Sequence, residues 1–142
     1  MHILLAVDGS KNSLAAVSSL IKHVDWFEKP PTVHLTYVHL PVPKVGAFGG
    51  GPSKTALANY YREEGEQAVA KAQKLLAKSG IPYETAILVG PIAETLCTHA
   101  ENENCELICM GTRGLNSVAN MVMGSVATKV LHRATVPVLL VK

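Results

Sequence analysis

Four residues in the last third of the chain have the spacing of a phosphate-binding turn. Gly111 and Gly114 follow an apolar run over 107–110, and nine residues separate Gly114 from Gly124, which directly precedes Ser125. Glycine lets the backbone approach a ligand closely, and a helix N-terminus favours negative charge. An apolar strand, a glycine turn and a helical pattern in this order therefore predict backbone N–H groups that face a phosphate. The structural alternative is that the glycines only form a turn and a loose point in a helix.

The whole spacing resembles the nucleotide-binding signature of the universal stress protein family. It reads G-x2-G-x9-G-[ST] and is preceded by Cys109-Met110. The resemblance extends to the segments AVDGS at 6–10, YVH at 37–39 and VPVLLVK at 136–142, and so covers both ends of one domain over 1–142. It implies a sheet with strand order 3-2-1-4-5, an ATP site at the motif and a homodimer.

The predicted ATP site has a phosphate part and a base part. We expect the 111–114 turn and the N–H groups of Gly124 to Val126 to converge on the phosphates, with one more hydrogen bond from the Ser125 hydroxyl. Arg113 lies inside the turn and could pair with a phosphate or ribose oxygen. The resemblance places Asp8 against adenine or ribose. The full predicted set is Ala6, Val7, Asp8, Val38, Met110, Gly111, Arg113, Gly114, Gly124, Ser125 and Val126.

Several of these residues have an ordinary structural alternative. Arg113 could be a solvated loop side chain, and Asp8 could cap the turn that follows it. Ala6, Val38 and Met110 match base-pocket positions of the family, but for any one of them the ordinary core of a strand is the commoner role. Magnesium is the expected companion of ATP, because neutral N–H groups and one arginine leave much of a triphosphate's charge unbalanced.

Strand and helix patterns alternate along the chain, which predicts an α/β fold with a doubly wound parallel sheet and helices on both faces. The predicted strands are 2–7, 33–40, 83–89, 106–110 and 136–141. The predicted helices follow Ser10, span 53–79, open at Gly90-Pro91 with the proline at the first helical position, and span 124–133. The apolar side of the third helix is expected to consist of Ile92, Leu96 and Ala100, and the inward face of the last helix of Val126, Val130 and Leu131. In the implied strand order, ligands bind where the order reverses, between strands 1 and 4. Asp8 and Gly111 stand at those strand ends.

The proline- and glycine-rich stretch 41–52 is predicted to be a long loop. Its end, GAFGGGPSKT at 46–55, invites comparison with a Walker P-loop, but the template needs glycine where Phe48 and Ser53 stand. Ser53 is expected instead to cap the helix 53–79. The apolar residues expected on one face of this helix are Leu57, Tyr61, Ala68, Ala72 and Leu75. The loop is a candidate for a part that responds to nucleotide.

Composition limits the other function classes. Charged residues are 17% of the 142 residues and the net charge is +2, without a basic stripe, so no nucleic-acid partner is expected. No apolar run reaches a membrane-spanning length. Three cysteines without a CxxC pair favour a reducing compartment, the cytoplasm. The six histidines lack ligand spacing, so no protein metal site is expected.

The predicted function is a nucleotide-dependent stress-response or regulatory module that hydrolyses ATP slowly or not at all, because no base and no Walker lysine are recognisable. Two alternatives stay open: an adenylate- or flavin-using enzyme or redox carrier on the same fold, and a dimeric interaction module that binds AMP or no nucleotide. The strand 136–141 would leave an apolar sheet edge, which predicts a homodimer through that strand.

Overall fold

A five-stranded parallel sheet forms the centre of the structure, a computed structural model that describes residues 1–43, 51–115 and 122–142. The strands are β1 (His2–Ala6), β2 (Thr32–His39), β3 (Tyr83–Val89), β4 (Leu107–Gly111) and β5 (Val138–Val141). Their order in the sheet is β3-β2-β1-β4-β5, and every pairing is parallel. The predicted fold class and strand order are confirmed.

Two helices cover each face of the sheet. The helices are α1 (Lys11–Lys22), α2 (Lys54–Ser79), α3 (Ile92–Asn102) and α4 (Ser125–Arg133). Side chains of β1 alternate between the faces: Ile3 and Leu5 pack with α1 and α2, whereas Leu4 and Ala6 pack with α3 and α4. Residues 3–6 of β1 are buried on both faces of the sheet, which agrees with their continuous apolar sequence.

The predicted signals at the helix ends agree with the structure in most places. The Ser10 hydroxyl accepts a hydrogen bond from the Ser13 N–H and starts α1, and the Ser53 hydroxyl accepts one from the Ala56 N–H and starts α2. Gly80 ends α2 with a positive φ of 74°. Pro91 was expected at the first helical position, but it is the N-cap residue and α3 begins at Ile92.

The buried face of α2 differs from the predicted one. The sequence pattern placed Leu57, Tyr61, Ala68, Ala72 and Leu75 on the inner face. The fully buried residues are Gly65, Val69, Ala72 and Leu76, and the other four predicted residues are only half-buried. A Cβ atom on Gly65 would lie 2.9 Å from Cδ1 and 3.0 Å from Cγ1 of Ile87 on β3. Gly65 therefore allows α2 to lie close against the sheet, a role that its helix propensity does not reveal.

The C-terminal elements required two corrections. Leu131 was expected to face inward with Val130, but it is 44% exposed whereas Val130 is fully buried. Strand β5 begins at Val138 rather than at Val136. Pro137 has no N–H, so it cannot donate a hydrogen bond to β4. Its carbonyl does accept a hydrogen bond from the Ile108 N–H of β4.

Candidate functional site

A cavity of about 460 Å³ opens at the carboxyl ends of β1, β2 and β4, where the strand order reverses. This volume lies in the range of small-molecule sites, about 300–1,000 Å³. The cavity is lined by all eleven residues that the sequence predicted: Ala6, Val7, Asp8, Val38, Met110, Gly111, Arg113, Gly114, Gly124, Ser125 and Val126. Two stretches about a hundred residues apart in the chain therefore meet here, as the fold rule required.

One wall of the cavity is apolar. Ala6, Val38 and Met110 are nearly fully buried on the face of the sheet that α3 and α4 cover, and Ile92 and Leu96 of α3 line the cavity opposite them. The same side chains therefore belong both to the core and to the cavity wall, and their role as a base pocket stays a prediction. The arrangement can receive a flat apolar group between the sheet and α3.

The backbone of Val38 offers a hydrogen-bonding edge beside this wall. The β1–β2 register ends at the pair Ala6 and Thr36, after which the Val7 N–H donates to the Thr36 carbonyl at 3.0 Å. Strand β2 continues to His39, whose carbonyl bonds on the β3 side to the Gly90 N–H. Alternation directs the Val38 N–H and C=O to the other side, where β1 has ended. Within the described ranges neither group has a backbone partner there.

The polar end of the cavity is the N-terminus of α4. Its N-cap residue Gly124 supplies no side-chain cap, and the first hydrogen bond inside the helix runs from the Thr128 N–H to the Gly124 carbonyl at 3.1 Å. The N–H groups of Ser125 and Val126 therefore have no carbonyl acceptor within the helix. They also lie at the positive end of the helix dipole. The Gly124 N–H donates to the Thr112 carbonyl at 2.7 Å, which fixes the helix start against the glycine turn.

Arg113 contributes the cation of the cavity wall. Its Nε atom is buried and has no hydrogen-bond partner among the residues that the structure describes. A buried guanidinium N–H without an acceptor is costly, so such groups in folded proteins nearly always have a partner. An anionic or carbonyl acceptor in the cavity would satisfy it.

The three glycines of the motif have different surroundings. A Cβ atom on Gly111 would lie 2.9 Å from the Asn12 carbonyl oxygen of α1, and one on Gly114 would lie 2.5 Å from Oδ2 of Asp8. A Cβ atom on Gly124 would lie 3.4 Å from the Thr112 carbonyl oxygen, an ordinary van der Waals distance. Close packing within the protein therefore explains the first two glycines but not the third.

Asp8 holds two backbone segments at once. Its Oδ1 accepts a hydrogen bond from the Ser10 N–H at 2.9 Å, which is the cap that the sequence suggested as an alternative. Its Oδ2 accepts one from the Leu115 N–H at 3.0 Å, across 107 residues of sequence. Gly9 between Asp8 and Ser10 has a φ of 81°, a conformation that favours glycine.

Other lining residues were not predicted as site residues. They are Ser13, Tyr37, His39, Leu40, Ile92, Leu96, Thr112, Leu115 and Ala127. Tyr37 and His39 belong to the segment that carried the resemblance, and their place at the end of a strand was the available signal. Burial raises the pKa of the Tyr37 hydroxyl, with a smaller effect from Glu64. Ile92 and Leu96 were assigned to the apolar face of α3 alone.

The described parts of the chain contain no cluster of three or more histidine, cysteine, aspartate or glutamate residues that could hold a metal ion. In the same ranges, no helix has the length and apolarity needed to cross a membrane.

The fold and the cavity define a doubly wound α/β protein with a ligand-sized site at its topological switch point. The family model described as the universal stress protein family matches residues 1–142. The chain therefore belongs to the universal stress protein family.

Relatives of this family match nearly the whole chain. The universal stress protein MJ0531 of Methanocaldococcus jannaschii is 34% identical over 140 residues, which are 99% of this chain and 81% of the relative. A universal stress protein of Thermus aquaticus is 33% identical over 141 residues, covering 99% of this chain and 97% of the relative.

Solved structures share the fold at lower sequence identity. The protein MJ0577 superposes with a TM-score of 0.79 at 24% identity, covering 99% of this chain and 94% of the other. A universal stress protein in complex with cAMP has a TM-score of 0.70 at 21% identity, covering 100% and 97%. One from Archaeoglobus fulgidus in complex with dAMP has a TM-score of 0.65 at 20% identity, covering 100% and 98%.

Proposed function

We propose that this protein binds an adenine nucleotide in the cavity, with ATP as the ligand, and works as a nucleotide-dependent stress-response or regulatory module. One observation carries the proposal: the same cavity has an apolar slot, the space between the sheet and α3, and a helix N-terminus without a side-chain cap. A nucleotide has an apolar base at one end and an anionic phosphate chain at the other. The similar structures with cAMP and dAMP support this ligand class.

The backbone N–H and C=O of Val38, which lack a backbone partner within the described ranges, favour adenine over guanine. Adenine presents an acceptor at N1 and a donor at N6, which pair with a backbone N–H and C=O respectively. Guanine presents a donor at N1 and an acceptor at O6, so the same backbone edge would face two mismatched groups. The base would lie against Ala6 and Met110, which line the slot.

The phosphates would lie at the N-terminus of α4. The N–H groups of Ser125 and Val126 and the Arg113 guanidinium supply donors there, and the Ser125 hydroxyl adds one more. A magnesium ion would neutralise part of the triphosphate charge. Because no three-ligand cluster is present in the described residues, phosphate oxygens and water would have to supply most of its coordination.

Slow hydrolysis or none is part of the proposal. Among the described residues that line the cavity, Asp8 is the only carboxylate, and each of its oxygens accepts a backbone N–H. It is therefore poorly placed to activate a water. ATP would then act as a ligand that favours one conformation or partner surface. The predicted responsive loop 41–52 falls mostly outside the described residues, since positions 44–50 are not among them.

The first experiment identifies the bound molecule. The protein is purified without added nucleotide and denatured, and the released small molecules are analysed by mass spectrometry against a buffer control. ATP in near-stoichiometric amount supports the proposal together with slow turnover. AMP supports the interaction-module alternative, and a flavin, with its visible colour, supports the redox alternative. If nothing is released, calorimetric titration with Mg-ATP and Mg-GTP decides, and equal affinity for both would contradict adenine recognition.

Two valine substitutions test the phosphate end. Gly124→Val places a branched side chain where the phosphate should approach, while the Cβ position itself meets only ordinary contacts in the protein. We expect ATP binding to be lost with the fold intact. Ala77→Val is the control, because Ala77 is an exposed residue near the end of α2 and does not line the cavity. Unchanged ATP affinity in Gly124→Val would remove the phosphate-site hypothesis.

We also propose a cytoplasmic homodimer that forms through the strand 136–141. The odd-numbered residues of β5 bond to β4, since the Val141 carbonyl accepts the Thr112 N–H. Val138 and Leu140 therefore direct their backbone groups to the outer edge of the sheet, where a second copy could continue it. Three buried free cysteines fit a reducing compartment. Light scattering that shows a monomer across micromolar concentrations would contradict the dimer.

A further inference from the structure

The Asp8 carboxylate joins the end of β1 to the glycine turn by hydrogen bonds. Both of its oxygens accept backbone N–H groups, one from Ser10 beside β1 and one from Leu115 beyond the turn. Hydrogen bonds to a carboxylate are stronger than neutral ones. The carboxylate therefore links the end of β1 to the turn after β4, which lies more than a hundred residues later.

The link explains the glycine at position 114. Apart from the adjacent residues Arg113 and Leu115, the described atoms within 4 Å of a Cβ at Gly114 both belong to Asp8: Oδ2 at 2.5 Å and Cγ at 3.7 Å. No positive φ requires glycine there. The space beside Gly114 is thus filled by the carboxylate of the protein itself, so this glycine has a reason to be present without any ligand.

The turn has a second anchor one residue before Arg113. The Thr112 N–H donates to the Val141 carbonyl at 2.8 Å, and the Thr112 carbonyl accepts the Gly124 N–H at 2.7 Å. Arg113 therefore lies between this anchor and the Asp8 link. Without the hydrogen bond from Leu115 to Asp8, the backbone on the C-terminal side of Arg113 would no longer be held. The position of Arg113 in the cavity wall would then change.

We propose that Asp8 is a positioning residue: its carboxylate fastens the turn Arg113-Gly114-Leu115 to the end of β1 and so places Arg113 for the phosphate chain, while Gly114 is required to make room for that carboxylate. The proposal rests on the nucleotide site described above, and it assigns Gly114 to the contact with Asp8, while the phosphates are left to Arg113 and to the N-terminus of α4.

A double-mutant cycle tests this assignment. The proteins are the wild type, Asp8→Ala, Gly114→Ala and the double variant, with Asp8→Asn as the conservative replacement. Two quantities are measured on each: the affinity for Mg-ATP by calorimetry, and the hydrogen exchange rate of the Leu115 amide without nucleotide. Circular dichroism and thermal unfolding confirm that each variant is folded.

We expect Asp8→Ala to weaken ATP binding by about tenfold, the equivalent of one charge-assisted hydrogen bond, and to accelerate exchange at Leu115. Asp8→Asn keeps one acceptor oxygen and should give an intermediate result. Gly114→Ala should weaken binding in the wild-type background, because its methyl group displaces the carboxylate. In the Asp8→Ala background it should cause no further loss, because the obstructing group is gone.

Two results would overturn the proposal. An equal loss of affinity from Gly114→Ala in both backgrounds would show that Gly114 faces the ligand. Weaker ATP binding in Asp8→Ala with unchanged exchange at Leu115 would show that Asp8 contacts the nucleotide directly. If the wild type binds no nucleotide, the proposed function fails, and the exchange rates of the same four proteins still decide whether Asp8 and Gly114 act on the turn as a pair.

Discussion

Replacing Gly65 with alanine should destabilise the protein, although the same change normally stabilises a helix. Alanine in a helix interior is favoured over glycine by about 1 kcal/mol. At this position, however, the new Cβ would lie 2.9 Å from Cδ1 and 3.0 Å from Cγ1 of Ile87. Overpacking of this kind costs about 1–3 kcal/mol. The packing cost outweighs the propensity gain, and we expect a net loss of about 1 kcal/mol.

Removing the obstructing side chain should reverse the sign of the effect. In an Ile87→Ala background the Cγ and Cδ atoms are absent, so Gly65→Ala should stabilise the protein by about 1 kcal/mol. Urea unfolding followed by circular dichroism measures both effects, and 1 kcal/mol corresponds to about 0.5 M in the midpoint. If Gly65→Ala raised the midpoint in both backgrounds, the close approach of α2 to β3 would not be the reason for this glycine.

Two further predictions concern buried titratable groups. Burial, and next the neighbouring His2, lower the pKa of His34 below its ordinary 6.5. Below about pH 6.5 the unfolded state therefore binds more protons than the native state, and the free energy of unfolding should fall as the pH drops. Urea unfolding at pH 7.5 and 5.5 measures this dependence, and His34→Gln should make it weaker. Burial raises the pKa of the Cys105 thiol to about 11 and that of the Cys109 thiol to about 12. At pH 8, iodoacetamide should therefore alkylate the native protein far more slowly than the unfolded protein. Mass spectrometry measures the labelling, and rapid labelling of the native state would contradict this prediction.

The sequence predicted most of the strands and helices, but it did not predict which face of each helix is buried. The alternation of strands and helices predicts a parallel sheet, but the strand order came from the family resemblance. On α2, apolar residues occur on several sides, and the side that is buried includes Gly65, which lies close to Ile87 of another element. On α4, Leu131 has the spacing of an inward residue, yet it is 44% exposed because nothing in the described structure covers it. Helical spacing shows which residues share a face and not which face is covered.

The residues that line the cavity could be predicted from the glycine motif, the strand ends and the family resemblance, whereas their individual contacts could not. Position along the chain brought Asp8 and Gly111 to one edge of the sheet. That Asp8 directs one oxygen to Leu115, and that this oxygen occupies the space beside Gly114, depends on distances between segments that no spacing rule encodes. The hydrogen-bonding edge of Val38 likewise follows from where β1 ends relative to β2.

The central place of β1 has a consequence for how the chain reaches its native state. β1 pairs with β2 on one side and with β4 on the other, and Ile3 lies opposite Leu107. Contacts between segments so distant in sequence are slow to form, because the entropy cost of closing a long loop comes before the stabilising contacts are made. The β1–β2–β3 part can pair over shorter distances, but the cavity has no second half until β4 docks. We therefore expect ligand-binding competence to appear in the last phase of refolding, later than most of the secondary structure.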